Sequence, residues 1–159
     1  MHEVRETLSL VEEVEALLSE DDGWLPQLAN VASALFYRLP DVNWVGFYLL
    51  KGEELVLGPF QGKPACVRIA LGKGVCGTAA LRKEPVRVPN VHEFPGHIAC
   101  DTASNSELVV PIMPRGEVVG VLDVDSPRFN RFGEEEERDL LAVVRVLETR
   151  VDWDRALKW

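Results

Sequence analysis

Residues 107–125 read ELVVPIMPRGEVVGVLDVD. Two β-branched apolar runs, 107–113 and 117–125, flank Pro114-Arg115-Gly116, a proline–glycine turn signal. The stretch predicts a β-hairpin. Side chains alternate along a strand, so Asp123 and Asp125 share one face of it. Glu107 lies near the start of the neighbouring strand, which pairs with theirs.

Outward from this hairpin the chain supplies further strands and the helices to cover them. Residues 43–50 (NWVGFYLL) are β-branched and aromatic and predict a strand. Lys51-Gly52 makes a hairpin tip, and 54–60 is the return strand. A third strand is expected over 65–71 and a short one over 85–88. Between them, GKGVCG (72–77) leads into a helix of no more than two turns over 78–82. Residues 89–105 form a long irregular segment, and long loops inside compact domains are often functional.

Helices bracket the sheet. Apolar residues three or four apart predict an amphipathic helix over 4–18, a second from 24 or 25 to 38 that Pro40 ends, and a closing helix from 132 through at least 149. The expected fold is α+β: one domain over 1–159 with an antiparallel sheet of about six strands. Helices in 1–38 and 132–149 gather on one face, and the strands and loops of 42–125 carry a loop-covered ligand pocket on the other.

Composition narrows the function. The chain has 159 residues, 47% hydrophobic, with 17 basic against 26 acidic side chains and a formal net charge of −9. That charge argues against nucleic acid and against an anionic membrane, since both need a basic surface. No run approaches the length of a membrane span and the amino terminus lacks a secretory pattern, so a cytoplasmic protein is expected. Three cysteines, an odd number, fit reactive or buried thiols better than a secreted disulfide framework.

The cysteines carry the candidate chemistry. Cys66, Cys76 and Cys100 fall within 58–110, a stretch rich in glycine, with His92 and His97 nearby. Buried inert thiols are one reading; the other is redox chemistry, in which one thiol becomes a sulfenic acid and a second captures it as a disulfide. Metal binding is disfavoured, because Cys66 and Cys76 are too far apart for a paired-ligand motif and only His97 and Cys100 are close. Glu107, Asp123 and Asp125 read equally well as a polar strand face or as a binding site for an ammonium group. Crowded carboxyls would also leave one of them protonated and able to act as an acid. Trp44 and Tyr48, four apart on a strand, face one side as core aromatics or as a ligand wall, with Gly46 between them leaving space.

Together these segments are recognisable. NWVGFY (43–48), GPFQGKPAC (58–66), GVCGTA (74–79), FPGHIACD (94–101), ASNSE (103–107) and GVLDVDS (120–126) resemble the free methionine-(R)-sulfoxide reductases, which have the GAF fold. The resemblance spans roughly residues 24 to 148. It implies that Cys100 attacks the sulfoxide sulfur, that Cys66 resolves the sulfenic acid as a disulfide, and that Cys76 is an auxiliary cysteine. It implies substrate binding by Glu107, Asp123, Asp125, Trp44 and Tyr48. It further implies no bound cofactor or metal, thioredoxin as external reductant, free methionine (R)-sulfoxide as substrate, and a homodimer. A GAF-type small-molecule or redox sensor without catalysis is the alternative.

Overall fold

The computed structural model describes residues 8–97 and 103–159. Six antiparallel strands form its sheet: β1 (Trp44–Lys51), β2 (Glu54–Gly62), β3 (Arg68–Ala70), β4 (Val86–Val88), β5 (Ser106–Ile112) and β6 (Gly120–Ser126). Their spatial order is β3-β2-β1-β6-β5-β4. The first strand therefore lies beside the last, and the two central strands carry the segments 43–48 and 120–126.

Alternation along those strands sorts the core into two layers. Val45, Phe47 and Leu49 of β1, Leu122 and Val124 of β6, and Leu108, Val110 and Ile112 of β5 face the terminal helices. Those helices are α1 (Leu10–Leu17), α2 (Trp24–Arg38), α4 (Glu134–Arg150) and α5 (Trp153–Leu157). They bury Val14, Leu28, Val31, Leu35, Leu140, Val143, Val144 and Leu147 against that face. Each fully buried aliphatic side chain there contributes about 1.5–3 kcal/mol of transfer free energy. Trp44, Tyr48, Val109 and Val121 point the other way, into a second cluster with helix α3 (Gly74–Arg82).

Several boundaries differ from the sequence reading, each for a local reason. Ser9 caps α1, accepting from the Glu12 backbone N–H while the Glu12 carboxylate accepts from that of Ser9. This reciprocal box starts the described helix at Leu10. The third strand is only Arg68–Ala70, so Ala65, Cys66 and Val67 lie in the connection before it. Helix α3 begins at Gly74 rather than 78: Gly72 and Gly74 take positive φ (81° and 61°), and this turn starts a helix inside what reads as a glycine loop. The closing helix starts at Glu134, where Glu136 accepts from the Gly133 N–H, and α5 follows it as an unexpected last helix. Among the described residues, no helix is long and apolar enough to cross a membrane.

Candidate active site

The registers of the three central strands converge the polar residues. Glu107 of β5 faces Asp125 of β6, and Val109 faces Asp123. Across the other edge of β6, Trp44 faces Asp125 and Gly46 faces Asp123. Glu107, Asp123, Asp125, Trp44 and Tyr48 thus share the face opposite the terminal helices, and all five line one pocket of about 530 Å³, open solvent at its mouth included.

The three carboxyls are 5–9% exposed. Burial is the largest cause that raises the Glu107 and Asp123 pKa values, and the charge of Asp123 on the first and of Asp125 on the second adds to it. Desolvation and like charge act in the same direction, so these sites hold protons above the ordinary carboxylate range. Asp123 lies beside Glu107, Asp125 and Cys76, and its buried Oδ1 has no hydrogen-bond partner among the described protein atoms.

Aromatic rings make the adjoining wall. The Trp44 ring lies between Phe60 (centroids 5.3 Å apart, planes 16°) and Tyr48 (5.9 Å, 28°). Its indole N–H donates to the Lys63 carbonyl at 3.1 Å, and the Tyr48 hydroxyl donates to the Cys66 carbonyl at 2.9 Å. Both aromatics are therefore core residues and pocket walls at once. Gly46 serves them differently from the expectation: a Cβ there would lie 2.4 Å from Phe60 Cβ and 2.5 Å from the Trp44 ring. Its missing side chain makes room for the indole, not directly for a ligand.

Cys76, expected in a loop, sits in the first turn of α3, with its Sγ donating to Glu107 Oε2 at 3.9 Å. It is a buried free thiol, and burial followed by the charges of Asp123 and Glu107 pushes its pKa up. Cys66 is disulfide-bonded, and it stands off the strand on which the sequence reading placed it. Cys100 lies outside the described residues.

The chain matches the GAF domain family over residues 25–151. It is 53% identical over 133 residues to the free methionine-R-sulfoxide reductase of Escherichia coli strain K12, covering 84% of this chain and 81% of that one. The chain belongs to the free methionine-R-sulfoxide reductase family. Its likeness to the Saccharomyces cerevisiae free methionine-R-sulfoxide reductase is 45% identity over 126 residues, 74% of this chain and 70% of that protein. The free methionine-R-sulfoxide reductase of Neisseria meningitidis, solved in complex with its substrate, superposes with a TM-score of 0.85 at 38% identity. It covers 98% of this chain and 99% of that structure. The family is one of oxidoreductases built on the GAF fold.

Other pocket residues were not among the substrate-binding residues expected from the sequence, although His97 was singled out there beside the cysteines. Lys73, Gly74 and Val75 line it because α3 starts there. No side chain caps that start, and backbone N–H groups of a first helical turn have no intrahelical acceptor. Ser104 lines the pocket too, and its Oγ accepts from Asn43 Nδ2 at 3.1 Å, joining the bend before β1 to the segment before β5. His97 also lines it; its burial, then the neighbouring His92, lowers its pKa. The lone signal for the α3 residues was the glycine pair at 72 and 74, which marks a tight turn without saying that a helix follows.

Proposed function

We propose that this chain reduces free L-methionine (R)-sulfoxide to L-methionine, with Cys100 as nucleophile and Cys66 as resolving thiol. The observation that carries the reading is the pocket itself. It sets an aromatic wall of Trp44 and Tyr48 against Glu107, Asp123 and Asp125, in a chain 53% identical to a reductase of that name.

The roles follow from charge and shape. Methyl-sulfinyl is apolar at its methyl and basic at its oxygen. Trp44 and Tyr48 bound the methyl, and a protonated carboxyl of the Glu107–Asp123–Asp125 group donates to the oxygen. Carboxylates in the same group attract the substrate ammonium. At the other end, the uncapped start of α3, with Lys73 beside it, offers backbone N–H groups and a positive dipole end to the substrate carboxylate. A free amino acid is satisfied at both termini by such a site, whereas a peptide bond would remove both charges.

The chemistry then balances in three steps. The Cys100 thiolate attacks the sulfoxide sulfur. The sulfoxide oxygen, taking a proton, passes to the cysteine sulfur, so that methionine leaves and Cys100 becomes a sulfenic acid. The sulfoxide sulfur is reduced by two electrons and the cysteine sulfur loses two. The Cys66 thiol next displaces water from the sulfenic acid and forms the disulfide. Finally, an external dithiol of the thioredoxin kind returns both thiols by exchange. The disulfide-bonded state of Cys66, with Cys76 free, supports Cys66 rather than Cys76 as the resolving thiol.

The test is methionine release from free L-methionine (R)-sulfoxide with dithiothreitol. Wild-type protein turns over and Cys100→Ser releases none; full activity in Cys100→Ser overturns the mechanism.

A further inference from the structure

The sequence spacing offers no paired metal ligands, but the fold brings three together. One ligand atom each from Cys76, Glu107 and Asp123 lie within 4.8 Å of one another, and all three residues are buried. We propose that these three side chains form a binding site for a thiophilic divalent cation of the zinc type, in the same space as the substrate.

Three observations carry this. The first is distance. Tetrahedral bonds of about 2.3 Å to sulfur and about 2.0 Å to oxygen hold those two atoms about 3.5 Å apart. Cys76 Sγ and Glu107 Oε2 stand at 3.9 Å, so that pair needs a closure of only a few tenths of an ångström, and the Asp123 ligand atom lies within 4.8 Å of both. The second is the orphan oxygen: Asp123 is 5% exposed and lines the pocket, and its buried Oδ1 has no hydrogen-bond partner among the described protein atoms. The third is geometry of support. Cys76 is fixed on the first turn of α3, and Glu107 and Asp123 sit on adjacent strands near the sheet centre, so the three ligands are held by rigid elements.

The donor set is also suitable, with one net negative charge left over. One thiolate and two carboxylates, released of their protons, face a doubly charged cation, and sulfur with oxygen is a donor set that zinc accepts. Three protein ligands leave a fourth position toward the pocket, where the substrate's own polar groups would compete. Cation binding itself does not depend on the sulfoxide reading; only the competition does.

The experiment uses protein oxidised until thiol titration gives one free thiol, so that Cys76 is the sole reporter. Cadmium chloride is added and the ultraviolet sulfur-to-cadmium charge-transfer band is followed. One equivalent is expected to bind with a band, Cys76→Ser to remove the band, and Asp123→Asn, nearly isosteric, to weaken binding at least tenfold. Absence of a band with excess cadmium, or unchanged affinity in Asp123→Asn, overturns the site. Saturating free methionine is expected to reverse the band. A band that persists while calorimetry records methionine bound overturns the shared space and leaves the sulfoxide reading standing; no methionine heat at all points instead to failure of that reading.

Discussion

The Tyr48 hydroxyl donates to the Cys66 backbone carbonyl at 2.9 Å, tying the aromatic wall of the pocket to the connection that carries a disulfide cysteine. Burial, then the charges of Asp123 and its neighbours, push the phenol pKa far up, so this hydroxyl stays a donor at any working pH.

Tyr48→Phe keeps the ring stack and removes the donor. The half-buried carbonyl loses its partner, at a cost of about 1–3 kcal/mol. We expect a folded protein whose urea midpoint drops accordingly and whose rate of disulfide formation falls more than its methionine affinity. An unchanged rate would show that the Cys66 chain is held by other contacts.

The carboxyl cluster predicts a pH dependence with a definite sign. Glu107 and Asp123 have folded pKa values raised above their ordinary 4.5 and 3.8. Their protonated forms fit the folded state, so their contribution is complete below those ordinary values and is lost as pH rises through the raised ones. Metal-free Asp123→Asn, which never ionises, is therefore expected to be more stable than wild type at neutral pH, with the difference vanishing toward pH ~4. Denaturant melts of both proteins across pH 4–8 measure this. The same variant should lose most of its turnover, the usual exchange of stability for function at a site of buried, crowded carboxyls.

Gly46→Ala tests why the indole lies where it does. A Cβ would enter the space of Phe60 Cβ and the Trp44 ring, and overpacking of this kind costs about 1–3 kcal/mol. The expected result is a lower midpoint together with weaker methionine binding. Loss of stability with full binding would separate Trp44 from the ligand wall.

Cys66→Ser and Cys76→Ser should part company. With Cys100 attacking and Cys66 resolving, Cys66→Ser releases about one methionine per chain in a burst and then slows, a stoichiometry that follows from a sulfenic acid with no internal captor. Cys76→Ser should keep multiple turnover with thioredoxin. Rapid-quench measurement of methionine per chain distinguishes them.

Strand alternation made much of the fold and part of the site legible. Asp123 and Asp125 had to share a face, as did Trp44 and Tyr48, and one hairpin across 114–116 had to bring Glu107 close. Register was not legible: nothing local says that β1 lies beside β6, which sets Trp44 opposite Asp125. The start of α3 was hidden for a physical reason, since GKGVCG has the composition of a loop and only the positive φ of Gly72 and Gly74 turns it into a helix entry. That entry moves Cys76 from a loop onto a rigid element beside Glu107. The third strand was read too long because Val67 continues the apolar pattern, yet it is exposed and precedes the paired residues.

The most direct test of the central claim is methionine release from the separated R and S sulfoxides, each supplied free and within a peptide, with the thioredoxin system recycling the protein. The account predicts turnover of the free R form alone. Equal turnover of the S form, or of the peptide-bound sulfoxide, would contradict a pocket that holds both charged ends of a single amino acid.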